Sequence, residues 1–233
     1  MFIPLGDDNS FRRRFPFVVY GLVAANAFLW YLQLTLGDSF TSGYSTIPLE
    51  ITRGVDLITT SHVRIDGHRI DIPQAPGPSP IYLTLFSAMF MHGSWMHIIG
   101  NMLYLFIFGD QIEDEWGHLK FLLFYLLAGL GAAIAQISVE PTSVIPCLGA
   151  SGAIAGVLGA YLVLHPNNRV RVLFYNRIIL FPASIVLGFW GVAQILGQVG
   201  SIAGQHSGVA YMAHLGGFVV GLFFGFLQRF RAL

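Results

Sequence analysis

Five stretches of this chain, Phe15 to Leu36, Phe121 to Val139, Leu148 to Leu164, Ile178 to Gly197 and Val209 to Leu227, are almost uninterrupted in apolar residues. Each approaches the ~20 residues a helix needs to cross ~30 Å of hydrocarbon. A sixth run, Ser94 to Phe108, covers only about 22 Å at 1.5 Å per residue. Its start must lie below the outer surface or be extended by the apolar stretch Ile81 to Met91. With 55% hydrophobic and 10% charged residues over 233, the composition is far from that of a soluble domain. The expected fold class is all-α, a polytopic bundle of six transmembrane helices with both termini on one side.

Lys and Arg near spans are retained in the cytoplasm. Arg12, Arg13, Arg14, Lys120, Arg169, Arg171, Arg177, Arg229 and Arg231 all fall on the side of the termini, while the short loops around Glu140 and Gln205 carry none. Both termini are therefore expected to be cytoplasmic. The first run is full length and lacks a small-residue cleavage pattern, so it should stay as a span. No organelle-targeting extension precedes it, which points to a bacterial inner membrane.

The expected division is a cytoplasmic segment 1–14 and a membrane domain 15–230, within which 37–80 is a long outer loop. In that loop Val63-Arg64-Ile65, Asp66-Gly67 and His68-Arg69-Ile70 fit a two-residue hairpin. Pro73, Pro76, Gly77, Pro78 and Pro80 then form a stiff return, and Ile81 to Met91 reads as a segment in the membrane interface. The lone Cys147 excludes an internal disulfide and reads as a packing residue. Asp110 to Glu115 reads as a solvated cytoplasmic turn with a helix N-terminal preference.

Three polar strings interrupt the apolar pattern: His92-Gly-Ser-Trp-Met-His97-Ile-Ile-Gly-Asn101, Gly149-Ala-Ser151-Gly152 and Ala213-His214-Leu-Gly-Gly217. Each lies in the first part of a span running from outside to inside, so all three share one depth. His97 and Asn101 are one helical turn apart and share a face. His92 precedes a cap pair, Gly93 and Ser94, at a helix entrance. Gly152, Gly156 and Ala160 recur every fourth residue, as do Gly217, Gly221 and Gly225, and two such faces let helix backbones approach closely. That approach brings Ser151 within reach of His214.

A serine beside a neutral histidine is the minimum for nucleophilic catalysis. All twelve Asp and Glu residues lie in loops or at span ends, so a dyad without a buried acid is expected. His97, Asn101 and the Ser151 N–H are the candidate oxyanion donors, each worth about 3 kcal/mol. Metal binding is not expected, since His92 and His97 lie about 140° apart on a helix with no Cys or carboxylate beside them. His62, His68, His118, His165 and His206 read as loop or interfacial residues. A transporter would carry ionisable residues along a path through the bilayer, whereas here they cluster in the outer half.

Together the motifs resemble the rhomboid intramembrane serine proteases. The resemblance runs from Ile81 to Phe230 and also takes in Gly109-Asp110-Gln-Ile-Glu113-Asp114 leading to Gly117, and the pair His165-Pro166. It implies Ser151 as nucleophile, His214 as general base, His97 with Asn101 in the oxyanion hole and His92 in support. The implied substrates are transmembrane segments of other membrane proteins in the lipid bilayer, with no cofactor and no nucleic-acid partner. It further implies a mobile cap over the site, here Gly197, Gly200, Gly204 and Gly208, with substrate passing the fifth span near Phe181, Phe189 and Trp190. Two departures stand out. Ala155 replaces a tyrosine that packs on the histidine in bacterial members, and the first outer loop lacks their Trp-Arg pair. The alternative is a non-catalytic relative that binds transmembrane helices and affects their trafficking or degradation.

Overall fold

The computed structural model describes the chain except residues 1, 11, 66–67, 203–208 and 232–233. In chain order the elements are β1 (Phe2–Gly6), α1 (Phe17–Leu36), the short α2 (Asp38–Gly43) and α3 (Pro48–Arg53), and the strands β2 (Ser61–Ile65) and β3 (His68–Ile72). Then follow α4 (Thr84–Ser87) between two 3-10 turns, α5 (Trp95–Trp116), α6 (His118–Val139) and α7 (Ser151–Leu164). The strands β4 (Arg169–Phe174) and β5 (Arg177–Pro182) precede α8 (Ala183–Ile202) and α9 (Tyr211–Arg231). Among the described residues, α1, α6, α8 and α9 are the helices long and apolar enough to cross a membrane. α5 has the length, with 22 residues, but ends in Asp110, Glu113, Asp114 and Glu115. α7 has 14 residues, about 21 Å.

α7 lies at the centre, buried continuously from Gly152 to Tyr161. Small side chains make this possible. A Cβ on Gly217 would collide with the Gly152 carbonyl, one on Gly221 with the Gly156 carbonyl, and one on Gly225 would reach 3.2 Å from the Ala160 backbone. On its other side α7 packs through Gly152 and Gly156 onto Ala132 and Ala128 of α6. With no hydrophobic gain from leaving lipid, contact of this closeness is what holds such helices together.

The start of α7 is fixed by its approach. The segment leading to it is pinned by paired backbone bonds, Thr46 N to Cys147 O at 2.9 Å and Cys147 N to Thr46 O at 2.8 Å, and by Gly149 N to Ala88 O at 2.8 Å. At Gly149 φ is +125°, a conformation that L side chains rarely adopt, so glycine alone turns the chain into the helix there without strain. Ser151 then opens α7.

Two expectations change. The run Ile178 to Gly197 is not one helix: residues up to Pro182 form β5, paired antiparallel with β4, which pairs with β1 in the order β1-β4-β5. A short apolar run beside a turn is ambiguous between strand and helix; β5 pairs with its sequence neighbour β4, and the third strand of the sheet, Phe2–Gly6, comes from more than 160 residues before β4. The chain is therefore mostly helical and not all-α. Phe181 sits in this sheet, two residues before α8 begins. Secondly, Asp110 to Glu115 is the last part of α5 and not a solvated turn. Asp110 and Glu113 are buried, and the Glu113 carboxylate accepts from Val18 N at 2.9 Å and Val19 N at 2.8 Å. Its preference for a helix N-terminus is met on α1, which has no side-chain cap of its own. Ile81 to Phe90, by contrast, is helical as a continuous run of short turns around α4.

β2 and β3 pair in the register expected of the hairpin, Ile65 opposite His68, while its turn, Asp66-Gly67, lies outside the described residues. So do His206, Gly204 and Gly208 of the expected cap. Gly197 and Gly200 belong to α8.

Candidate active site

Helix packing brings Ser151, the first residue of α7, against His214 in the first turn of α9. Ser151 Oγ lies 2.7 Å from His214 Nε2. The other ring nitrogen, Nδ1, lies 2.7 Å from Gln194 Oε1 on α8. An amide oxygen only accepts, so Nδ1 carries the proton and Nε2 keeps its lone pair for the serine hydroxyl. Among the described residues no carboxylate takes part. The Trp190 ring stands 6.1 Å from His214, tilted by 38°, while Ala155 is fully buried in α7. The histidine is thus held from α8 by Gln194 and Trp190, where the departure at Ala155 had left its support open.

The string from His92 to Asn101 forms the opposite wall. Ser94 caps α5, its hydroxyl accepting from His97 N at 3.2 Å. His97 Nδ1 accepts from Gly93 N at 3.4 Å, which puts the proton on Nε2. That edge of the ring packs on Gly149, where a Cβ would lie 2.8 Å from His97 Nε2 and Cε1. Asn101 Nδ2 donates to His92 Nε2 at 2.9 Å. His92 is buried and its backbone is clasped by Gln33 of α1, with His92 N to Gln33 Oε1 and Gln33 Nε2 to His92 O both at 2.9 Å. His92 therefore touches Asn101 and not Ser151. The first-turn N–H groups of α7, starting at Ser151, have no partner inside the helix.

These groups face a cleft of ≈ 960 Å³ that Met96, His97, Asn101, Ser151, Trp190 and His214 help to line. A narrower recess of ≈ 60 Å³ opens beside Ser151 against Met89, Ala132 and Gln136. Gln136 of α6 also accepts from Ala213 N at 3.2 Å, anchoring the first turn of α9. Sequence reasoning missed Gln33, Gln136 and Gln194. Each is an uncharged amide inside a largely apolar helix, where an unpaired polar group is costly.

A bundle of apolar helices with a serine–histidine pair, a wall of neutral donors and an open cleft at the helix starts defines a membrane protein built around a hydrolase-like constellation. The chain belongs to the rhomboid family, whose Rhomboid domain matches residues 80–230, and it is an integral membrane protein. It is 27% identical over 231 residues to RHOMBOID-like protein 4 of Arabidopsis thaliana, covering 96% of this chain and 55% of that relative. It is 35% identical over 135 residues to Rhomboid protease GluP of Bacillus subtilis (strain 168), covering 57% and 26%. With Rhomboid-like protein 11, chloroplastic, of Arabidopsis thaliana it shares 30% over 146 residues, covering 61% and 51%. The chain spans about a quarter to about half of the length of these relatives. Because plant and chloroplast proteins are among them, the expected bacterial inner membrane finds no support here.

Proposed function

We propose that this protein is an intramembrane serine endopeptidase that cleaves peptide bonds in or near transmembrane segments of other membrane proteins. The observation that carries this reading is the 2.7 Å contact between Ser151 Oγ and His214 Nε2 at the edge of the open cleft. His214 Nε2 takes the hydroxyl proton as Ser151 Oγ attacks the scissile carbonyl carbon. The developing oxyanion is met by the Ser151 N–H and His97 Nε2–H, with the Asn101 amide beside them. His214 returns the proton to the leaving amine, and water reverses the sequence to release the acyl group. Every group required comes from the chain itself, without metal or organic cofactor.

The same reading takes α1, α5, α6, α7, α8 and α9 as six spans with both termini on the cytoplasmic side, following the basic residues at that end. It takes residues 1–14 as a cytoplasmic segment and 15–230 as the membrane domain. Substrates whose helices are weak near the cut are preferred, since a carbonyl bonded within an intact helix is shielded from attack.

Cleavage of a generic transmembrane substrate by purified protein in liposomes, with fluorophosphonate labelling of Ser151, tests the reading. Wild type cleaves and is labelled, and Ser151→Ala and His214→Ala lose both while remaining folded. Absence of labelling and cleavage in wild type would favour the non-catalytic, helix-binding alternative.

A further inference from the structure

We propose that Gln194 is the positioning residue of the dyad, its amide oxygen holding His214 in the tautomer that can accept the Ser151 proton. The inference rests on the protease reading above and extends it to α8. An imidazole with no partner on Nδ1 populates both neutral tautomers, and the one protonated on Nε2 cannot act as base toward Ser151. In serine hydrolases built as triads a carboxylate prevents this. Here the described partner of Nδ1 is Gln194 Oε1 at 2.7 Å. The orientation of the amide is set within α8 itself, since Gln194 Nε2 donates to Trp190 O at 3.4 Å and leaves Oε1 facing the ring. An amide suits this half-buried, largely apolar site better than a carboxylate because it brings no charge to desolvate.

The packing of α8 adds a consequence. Ala183, Val186 and Leu187 are buried, but no described residue of α8 beyond Leu187 is, and Gly188 and Gly191 have nothing within 4 Å of where a Cβ would lie. The first turns of α8 are buried, while its outer part meets α9 through Trp190 against Phe218 and through Gly197, where a Cβ would collide with the Tyr211 ring. A shift of about 1 Å of that part stretches the Gln194–His214 contact past hydrogen-bond length, so the base is correctly set only when α8 is seated.

The test compares wild type with Gln194→Leu, Gln194→Glu and the lipid-facing control Ile195→Ala, using substrate cleavage, Ser151 labelling and ring NMR of isotope-labelled histidine, with the His214 signals assigned through His214→Ala. Gln194→Leu is expected to lower kcat about 10²-fold with KM within about 2-fold, and to convert a single Nδ1–H signal of His214 into a tautomer mixture. Gln194→Glu restores most of the rate and moves the acid limb of the pH–kcat profile to higher pH. Ile195→Ala matches wild type. Wild-type kcat, pH profile and tautomer in Gln194→Leu, with cleavage intact, overturn the assignment alone. Equal losses in the Leu and Glu variants with lowered melting temperatures and an unchanged tautomer signal also overturn it, as a purely structural role. A wild type that neither cleaves nor labels removes the protease reading and this one together.

Discussion

Adding a single methyl group at Gly221 separates the two halves of the candidate site. The Gly221→Ala Cβ would fall more than 1 Å inside the closest approach that real Cβ atoms show, and it would meet the Gly156 carbonyl, which is backbone and cannot swing aside. α9 must move off α7 by about 1 Å. His214 lies two turns from Gly221 on the same helix, so the displacement reaches the 2.7 Å contact with Ser151 directly. A misplacement of this size costs about 10²-fold in rate, and overpacking costs about 1–3 kcal/mol in stability. Gly188→Ala is the matched control, since it adds the same methyl group to α8 where nothing lies within 4 Å. Its helix propensity improves by up to about 1 kcal/mol. Purified variants in detergent are compared by Ser151 labelling rate, substrate cleavage and thermal unfolding. Labelling, cleavage and melting temperature of Gly221→Ala equal to those of Gly188→Ala would refute the argument that glycine contact between α7 and α9 sets the site.

Other outcomes follow from single contacts. Asn101→Ala removes both a donor near the oxyanion position and the partner of His92 Nε2, and kcat measured on a cleaved substrate falls about 10²-fold while the protein stays folded. Glu113→Ala leaves Val18 N, Val19 N and His118 Nδ1 without their buried acceptor, lowering stability by about 3 kcal/mol in thermal or denaturant unfolding. Asp7, buried beneath β1 with its carboxylate 2.5 Å from Tyr161 Oη, is pushed up to about 6 from 3.8, chiefly by burial. The protonated form is thus the one the fold favours, so its contribution is full below about pH 4 and is lost as pH rises through about 6, up to about 3 kcal/mol. Asp7→Asn should flatten that part of the stability profile, and an unchanged profile would show that another group titrates there.

How far the site could be read from the chain differs from residue to residue. Ser151, His214, His97 and Asn101 stood out because polar groups are costly in apolar runs, and their shared depth followed from counting spans. The face they share was readable because Gly152, Gly156 and Ala160 repeat at the same interval as Gly217, Gly221 and Gly225. Gln194 was not found, since its partner is 20 residues away on another helix and a glutamine in an apolar run carries no periodicity. His92 could be placed at a helix entrance, but its clasp by Gln33 joins residues 59 apart.

Apolar length and spacing are local properties of the chain, which is why the membrane, most of the long helices and the small-residue faces can be read from them alone. The strand β1 added to the β4–β5 hairpin, the capping of α1 by Glu113 and the amide on the far side of His214 join segments that are separated in the chain. Each depends on a backbone or side-chain donor whose acceptor arrives only once the bundle has closed, so only the tertiary structure decides them.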